Sequence, residues 1–225
     1  MNSDDRHSKA LEVELITDPD EKARREARNG LRQFDSAIEQ IEYWLQPERP
    51  FKLRPSTIMS LNRIALDGLS SYAGTYRPAG IEIRGSKHVP PPAPLVPELV
   101  EELCDYVNSN WDRSPIHLAA YVLWRLNWVH AFVDGNGRTT RVTFIVLCVR
   151  LGYRVPGSNT IPEQISRDKN PYYRALELAD EAHQKERKID VGAMEDLVSS
   201  LLTIQLASVI HDARASRPPT RDIKS

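Results

Sequence analysis

Residues 20–45 place Leu31, Phe34, Ile38, Ile41 and Leu45 at three- and four-residue steps, the spacing that gathers apolar groups on one face of an α-helix. The pattern predicts an amphipathic helix. A second begins near Ser56 and carries Ile58, Leu61, Ile64 and Ala65, with Gly68 as its stop because glycine adopts the left-handed cap conformation freely. After a proline cluster, Leu99, Leu103, Val107 and Trp111 turn inward on a third helix. Its glutamates Glu98, Glu101 and Glu102 lie near the start, where the helix dipole favours negative charge. The stretch PIHLAAYVLWRLNWVH at 115–130 is apolar almost all round, which predicts a central helix buried by neighbours on most sides. The run VTFIVLCVRLG at 142–152 is rich in β-branched residues and would suit a strand if read alone. Joined to the preceding GRTTR it makes about four helical turns, and Gly152 offers a stop, so a helix is expected. Two further helical patterns cover 172–184 and 191–211, and the expected fold class is all-α.

The helical rhythm breaks at 73–94, AGTYRPAGIEIRGSKHVPPPAP. Pro78 and Gly80 supply turn chemistry, and residues 81–84 alternate apolar and polar, which predicts a short exposed hairpin. On these residues alone an ordinary surface excursion is the favoured reading. A chain of 225 residues, 40% hydrophobic, is expected to form one domain with ragged ends. With 30 basic and 31 acidic residues, nothing global points to nucleic acid or an anionic membrane, so any polyanion site must be local. The first thirty residues lack a signal-peptide core and no run of roughly 18 apolar residues occurs. Cys104 and Cys148 sit in apolar helical patterns, which suits a reducing compartment, and the expectation is a cytoplasmic protein.

Chemistry concentrates at 130–141, HAFVDGNGRTTR, between two strongly apolar helices. Polar groups at buried helix ends need partners. Gly135, Asn136 and Gly137 permit a tight path of converging amides, and the next helix turns its positive end to the same point, which makes an anion cradle. Arg138 and Arg141, three residues apart on one helical face, can reach successive phosphates. Asp134 would repel phosphates directly, which implies an intervening Mg²⁺ held by one protein oxygen, phosphate oxygens and water. His130 is the loop's one proton acceptor near neutral pH, and Phe132 is expected to pin the loop into the core. Taken singly, each has an ordinary reading as cap, turn or solvated arginine; the combination within one short loop does not.

The loop resembles the signature of the Fic family, HxFx(D/E)GNGRxxR, at every specified position, with Ala131 where a proline is often found. The resemblance takes in roughly residues 55–185. It implies a Fic-type helical bundle with a short β-hairpin flap, divided as a flexible N-terminus at 1–19, a helical extension at 20–54, a core at 55–185, a C-terminal helix at 186–214 and a tail at 215–225. AGTYR followed by GSKHVPPP looks like the family's flap, which implies a target dock with Ile83, Arg84 and Gly85 as the strand that adds to an extended target segment. NPYYRALELAD resembles the segment closing over the base, with either Tyr172 or Tyr173 stacking on adenine. The implied activity is protein adenylyltransfer: AMP moves from ATP to a Ser, Thr or Tyr hydroxyl of a target protein and pyrophosphate leaves. In that scheme His130 takes the hydroxyl proton and Asp134 holds Mg²⁺. The amides of Gly135, Asn136 and Gly137 stabilise developing charge, while Arg138 and Arg141 hold the leaving group.

Many members of the family carry an inhibitory helix with the pattern (S/T)xxxE(G/N). Only Ser8 and Thr17 have a glutamate four residues on, and Val13 after Glu12 and Lys22 after Glu21 break both patterns. The chain is therefore expected to lack that restraint, or to be held by a separate inhibitory partner or a homo-oligomer. Alternative expectations are a phosphoryl or phosphocholine transferase of the same fold and a silent nucleotide-binding module. No GxxxxGK(S/T) loop favours an ordinary nucleotide hydrolase.

Overall fold

The computed structural model describes residues 8–9, 15–83, 85–157 and 159–215. In chain order these form β1 (Ser8–Lys9), α1 (Pro19–Trp44), α2 (Pro55–Leu66), β2 (Glu82–Ile83), a 3₁₀ turn at Ala93–Leu95, and α3 (Val96–Ser109). There follow α4 (Pro115–Val129), the short α5 (Asn136–Thr139), α6 (Arg141–Leu151), α7 (Ile161–Arg167), α8 (Asn170–Glu186) and α9 (Gly192–Ala215). The all-α expectation is met.

α4 lies at the centre of the bundle, packed by α3, α6, α8 and α9. Its sequence explains this: Leu118, Ala119, Val122, Trp124 and Leu126 cover most of its circumference and are buried. Ser114 caps its start by accepting from the His117 amide at 3.0 Å. The indole of Trp124, deep in the core, donates to Asp180 on α8 at 2.8 Å, so a bulky polar edge enters the interior with a partner. α6 is a helix as expected, and it ends at Gly152 with φ 82°, where a left-handed residue closes its last turn. Cys104 and Cys148 are free buried thiols, pushed up to about 12 and about 11, chiefly by burial.

Four expectations are corrected. The inward face of α1 is not the one read from Leu31 and Phe34, which are 69% and 39% exposed; its N-terminal half buries Asn29 and Gln33 instead. There α1 lies across backbone carbonyls, so donors rather than methyl groups fill the contact. Asn29 donates to the carbonyls of Ala65 and Asp67, and Gln33 to those of Leu61 and Arg138. Second, no hairpin forms within the flap among the described residues: β2 pairs antiparallel with β1, Ser8 opposite Ile83 and Lys9 opposite Glu82. Third, α7 went unforeseen although its capping box, Thr160 with Glu163, is legible as T-x-x-E. Fourth, the segment Gly192–His211 of α9 is long and apolar enough to cross a membrane by length and composition. In this fold α9 packs on α4, α7 and α8.

Candidate active site

The last turn of any helix leaves carbonyls without intrahelical partners. At the end of α4 they are met by donors from one stretch of the flap. His88 Nε2 lies 2.8 Å from the Trp128 carbonyl, Arg77 Nε donates to His130 O at 2.8 Å, and Arg77 Nη2 reaches Val129 O at 3.4 Å. The Arg77 amide donates to Ala131 O at 3.0 Å. A cation at a helix C-terminus also suits the dipole. Burial lowers the Arg77 pKa, but a guanidinium remains charged.

With its backbone held this way, His130 adopts φ 50°, ψ 56°, the left-handed conformation that non-glycine residues rarely take, and the chain turns sharply out of α4 into the loop. Its side chain is 8% exposed. Burial drives its pKa down to about 4; His88 and Arg77 push the same way, while a hydrogen bond to the Asn127 backbone and the Asp134 charge oppose them. The imidazole is therefore neutral near pH 7, the state that can accept a proton.

Phe132 is buried against Tyr76, ring centroids 5.8 Å apart, and pins the loop as expected. Asn136 closes the turn: its Nδ2 donates to Phe132 O at 2.8 Å and its Oδ1 accepts from the Phe132 amide at 3.0 Å. Its side chain is thus a staple, and only its backbone amide is left for the anion cradle. Gly135 has φ 73°, and a Cβ there would come within 3.1 Å of Asn62 Nδ2 and 3.2 Å of Leu66, so both conformation and space demand glycine. A Cβ on Gly137 would meet nothing within 4 Å; that glycine borders open space. Beneath the turn, buried Asn62 donates to Asp134 O at 3.0 Å and contacts Thr139 Oγ1 at 3.2 Å, while its Oδ1 accepts from the Gly74 amide.

The two arginines do not sit as one continuous helix would place them, because the chain breaks at Thr140 between α5 and α6. Arg138, a third exposed, bonds Asp134 Oδ2 at 3.0 Å and lies 3.8 Å from Glu26 on α1. Asp134 Oδ1 meanwhile accepts from the Gly135 amide at 2.6 Å. Arg141 is more deeply buried and donates to Gly30 O at 3.3 Å, with its guanidinium 5.6 Å from the Phe34 ring. Both arginines thus face α1.

On the flap, Ile83 is 8% exposed and belongs to β2, but Gly85, with φ 74°, sits in the turn that the Ser86 amide closes onto Ile83 O at 3.1 Å. Gly85 is therefore not part of the strand, and Arg84 lies outside the described residues. Tyr172 and Tyr173 stand on the first turn of α8, rings 5.8 Å apart. Sequence reasoning missed Asn62, Arg77 and His88, together with Glu26 and Gln33 on α1. Asn62, a polar residue on the apolar face of α2, was the one available signal.

Residues 52–148 match the Fic/DOC family. The chain is similar to protein adenylyltransferase Fic of Drosophila willistoni, 33% identical over 127 residues that make 55% of this chain and 24% of that one. The Drosophila persimilis protein of the same name is likewise 33% identical, over 55% of this chain and 23% of its own. The chain thus spans about a quarter of the length of these curated relatives. Among solved structures, a Fic domain containing signaling protein from Bacteroides thetaiotaomicron superposes with TM-score 0.68 at 23% identity, over 86% of this chain and 75% of that one. Fic-1 from C. elegans gives 0.67 at 22%, over 90% and 55%. The loop at 130–141 lies inside the segment that matches the Fic/DOC family, and the fold is shared with these solved structures.

Proposed function

We propose that this protein is an adenylyltransferase that moves AMP from ATP to a hydroxyl side chain of a target protein. The observation that carries the reading is the loop itself: a buried neutral His130 beside a glycine turn that borders open space at Gly137, with Arg138 and Arg141 following on the side that faces α1. The name of the relatives agrees with it. The target hydroxyl oxygen attacks the α-phosphorus of ATP, the bond to the bridging oxygen breaks, and pyrophosphate leaves with that electron pair. His130 takes the hydroxyl proton. Amides at the start of α5, which have no intrahelical partners, face the charge growing on the α-phosphate. Arg138 and Arg141 hold the departing phosphates. Tyr172 or Tyr173 stacks on the adenine.

No group of three or more His, Cys, Asp or Glu able to hold a metal occurs among the described residues. That fits Mg²⁺, which is bound through one or two carboxylates plus phosphate oxygens and water rather than in an all-protein cage. Asp134, with its side chain 57% exposed, is the carboxylate for it, once its bond to Arg138 is released. When bound, the ion neutralises phosphate charge. The target docks on β2, and the pairing of β2 with the chain's own β1 supports edge addition there. Glu21 lies in the first turn of α1, its amide capped by Asp18, whereas Glu12 falls outside the described residues. We propose that restraint of the (S/T)xxxE(G/N) kind is absent and that any restraint comes from a separate partner or a homo-oligomer. Activation on replacing Glu12 or Glu21 by Gly would count against it. A cytoplasmic location is kept as a proposal, supported by two cysteines that sit in the helical core as free thiols.

The test is the mass of the protein and of lysate proteins after incubation with ATP and Mg²⁺. An AMP-sized gain is expected, and His130→Ala should reduce it by about 10²–10⁴-fold with ATP affinity little changed. A phosphate-sized gain would replace the reading with phosphoryl transfer, and undiminished transfer by His130→Ala would remove the histidine from its role.

A further inference from the structure

Resting on that function, we infer that Arg77 is a positioning residue of the reaction, a side chain that fixes the backbone of His130 against the flap that presents the target. The guanidinium is 2% exposed for its residue as a whole and divides its donors between two bodies. Toward α4, Nε bonds His130 O at 2.8 Å and Nη2 reaches Val129 O at 3.4 Å. Toward the flap, Nη1 bonds Ala79 O at 3.0 Å and Nη2 bonds Pro91 O. Ala79 and Pro91 bracket the segment that contains β2, so the two feet of the flap and the carbonyl of the proton acceptor meet at one planar cation. A guanidinium is suited to this because its donors form a rigid fork, whereas an ammonium has one nitrogen on a flexible stem and cannot span four carbonyls.

The contact acts on a strained point. His130 holds a left-handed backbone, and Arg77 bonds the carbonyls of the two peptides that follow it, Nε on His130 O and its own backbone amide on Ala131 O. Loosening it lets the imidazole swing, and general-base catalysis tolerates little error in distance. The Arg77 bonds go to the carbonyls of Ala79, Pro91, Val129, His130 and Ala131 and not to the Gly135–Gly137 turn or the loop arginines, so ATP binding is expected to survive its loss. The charged and titratable groups around the imidazole are Arg77, His88 and Asp134, and removing the cation among them must make His130 easier to protonate.

Two variants of the full chain separate geometry from charge. Arg77→Lys keeps the charge and loses the fork, whereas Arg77→Met loses both. Initial rates are read as α-³²P-labelled AMP incorporated into a fixed lysate, with the KM for ATP measured alongside and the His130 ring titrated by NMR. Both variants should lose about 30–100-fold in kcat with KM for ATP within about twofold, the range expected of a misplaced general base. The His130 pKa should stay in place in Arg77→Lys and rise in Arg77→Met. Rates within about threefold of the parent, a loss confined to KM, or an unmoved His130 pKa in Arg77→Met would each overturn the assignment. So would unfolding of both variants, because Arg77 would then be a fold residue. If the parent transfers no AMP, the proposed function fails, while the NMR titration still tests the Arg77–His130 contact.

Discussion

The two ends of the loop at 130–141 are held by opposite means. At the His130 end every contact is buried and neutral or bonded to backbone: Arg77 and His88 on the carbonyls of α4, Phe132 in the core, Asn136 stapled to the Phe132 peptide. At the other end the backbone is held by Gln33 on Arg138 O, but the Arg138 guanidinium itself makes exposed ion pairs with Asp134 and Glu26. Burial makes the first set costly to break, and water and salt make the second cheap. On the proposed function, a proton acceptor must not move, whereas phosphate ligands and a metal carboxylate would exchange their resting partners for the nucleotide. The difference matches those two demands.

The largest effect should come from breaking the rigid end. Asn136→Ala would leave the buried N–H and C=O of Phe132 without their partner, at about 1–3 kcal/mol for each group. A loss of roughly 2–6 kcal/mol is expected in urea unfolding, with transfer activity falling as the turn opens. A variant within about 0.5 kcal/mol of the parent would show that the staple contributes little. The comparable substitution at the other end, removing an exposed ion pair, is expected to cost no more than about 1 kcal/mol.

Acid should expose the same end next. His130 titrates at about 4 when folded and near its ordinary value of 6.5 when unfolded. Between those values the unfolded chain binds the additional proton, so stability rises with pH across the window and is lost as pH falls from about 6.5 toward about 4. A displacement of this size corresponds to about 3 kcal/mol. His183, also lowered by burial, contributes with the same sign. Unfolding free energies at pH 7 and 4.5 should therefore converge in His130→Gln relative to the parent, and equal slopes in the two proteins would remove His130 as the source.

How much of this was legible follows from what each part is made of. The central α4 could be read because a helix buried on all sides is apolar on all sides, and the loop because its glycines, arginines and histidine form a dense pattern. α1 was misread in its N-terminal half because its partners there are carbonyl groups. A polar interior of Asn29 and Gln33 looks, along the chain, like a solvated face. Arg77 was invisible for a related reason: it lies within a segment that breaks the helical pattern, and nothing in a sequence says that a lone arginine there will meet four carbonyls 2 to 53 positions away. The partner of β2 was missed because the nearer strand of a hairpin seemed the obvious mate, whereas the actual one lies far back in the chain.

The smallest effect, and the one that most sharpens the contrast, belongs to Glu26. Its carboxylate lies 3.8 Å from Arg138, with both side chains substantially exposed, and a nucleotide phosphate must compete for that guanidinium. An exposed pair of this kind is worth about 0–1 kcal/mol, so Glu26→Gln should tighten ATP binding by no more than about fivefold. Because the effect is electrostatic at an exposed site, the gain should shrink as salt is raised and vanish near 0.5 M, a concentration at which screening extends only about 4 Å. Calorimetric titration with ATP at low and high salt reads both points. A gain that persists at high salt would mean that Glu26 acts through the packing of α1 on the loop, and the flexible end would then be held as the rigid one is. No gain at either concentration would mean that Arg138 is already free to meet phosphate, with Asp134 as its only resting partner of consequence.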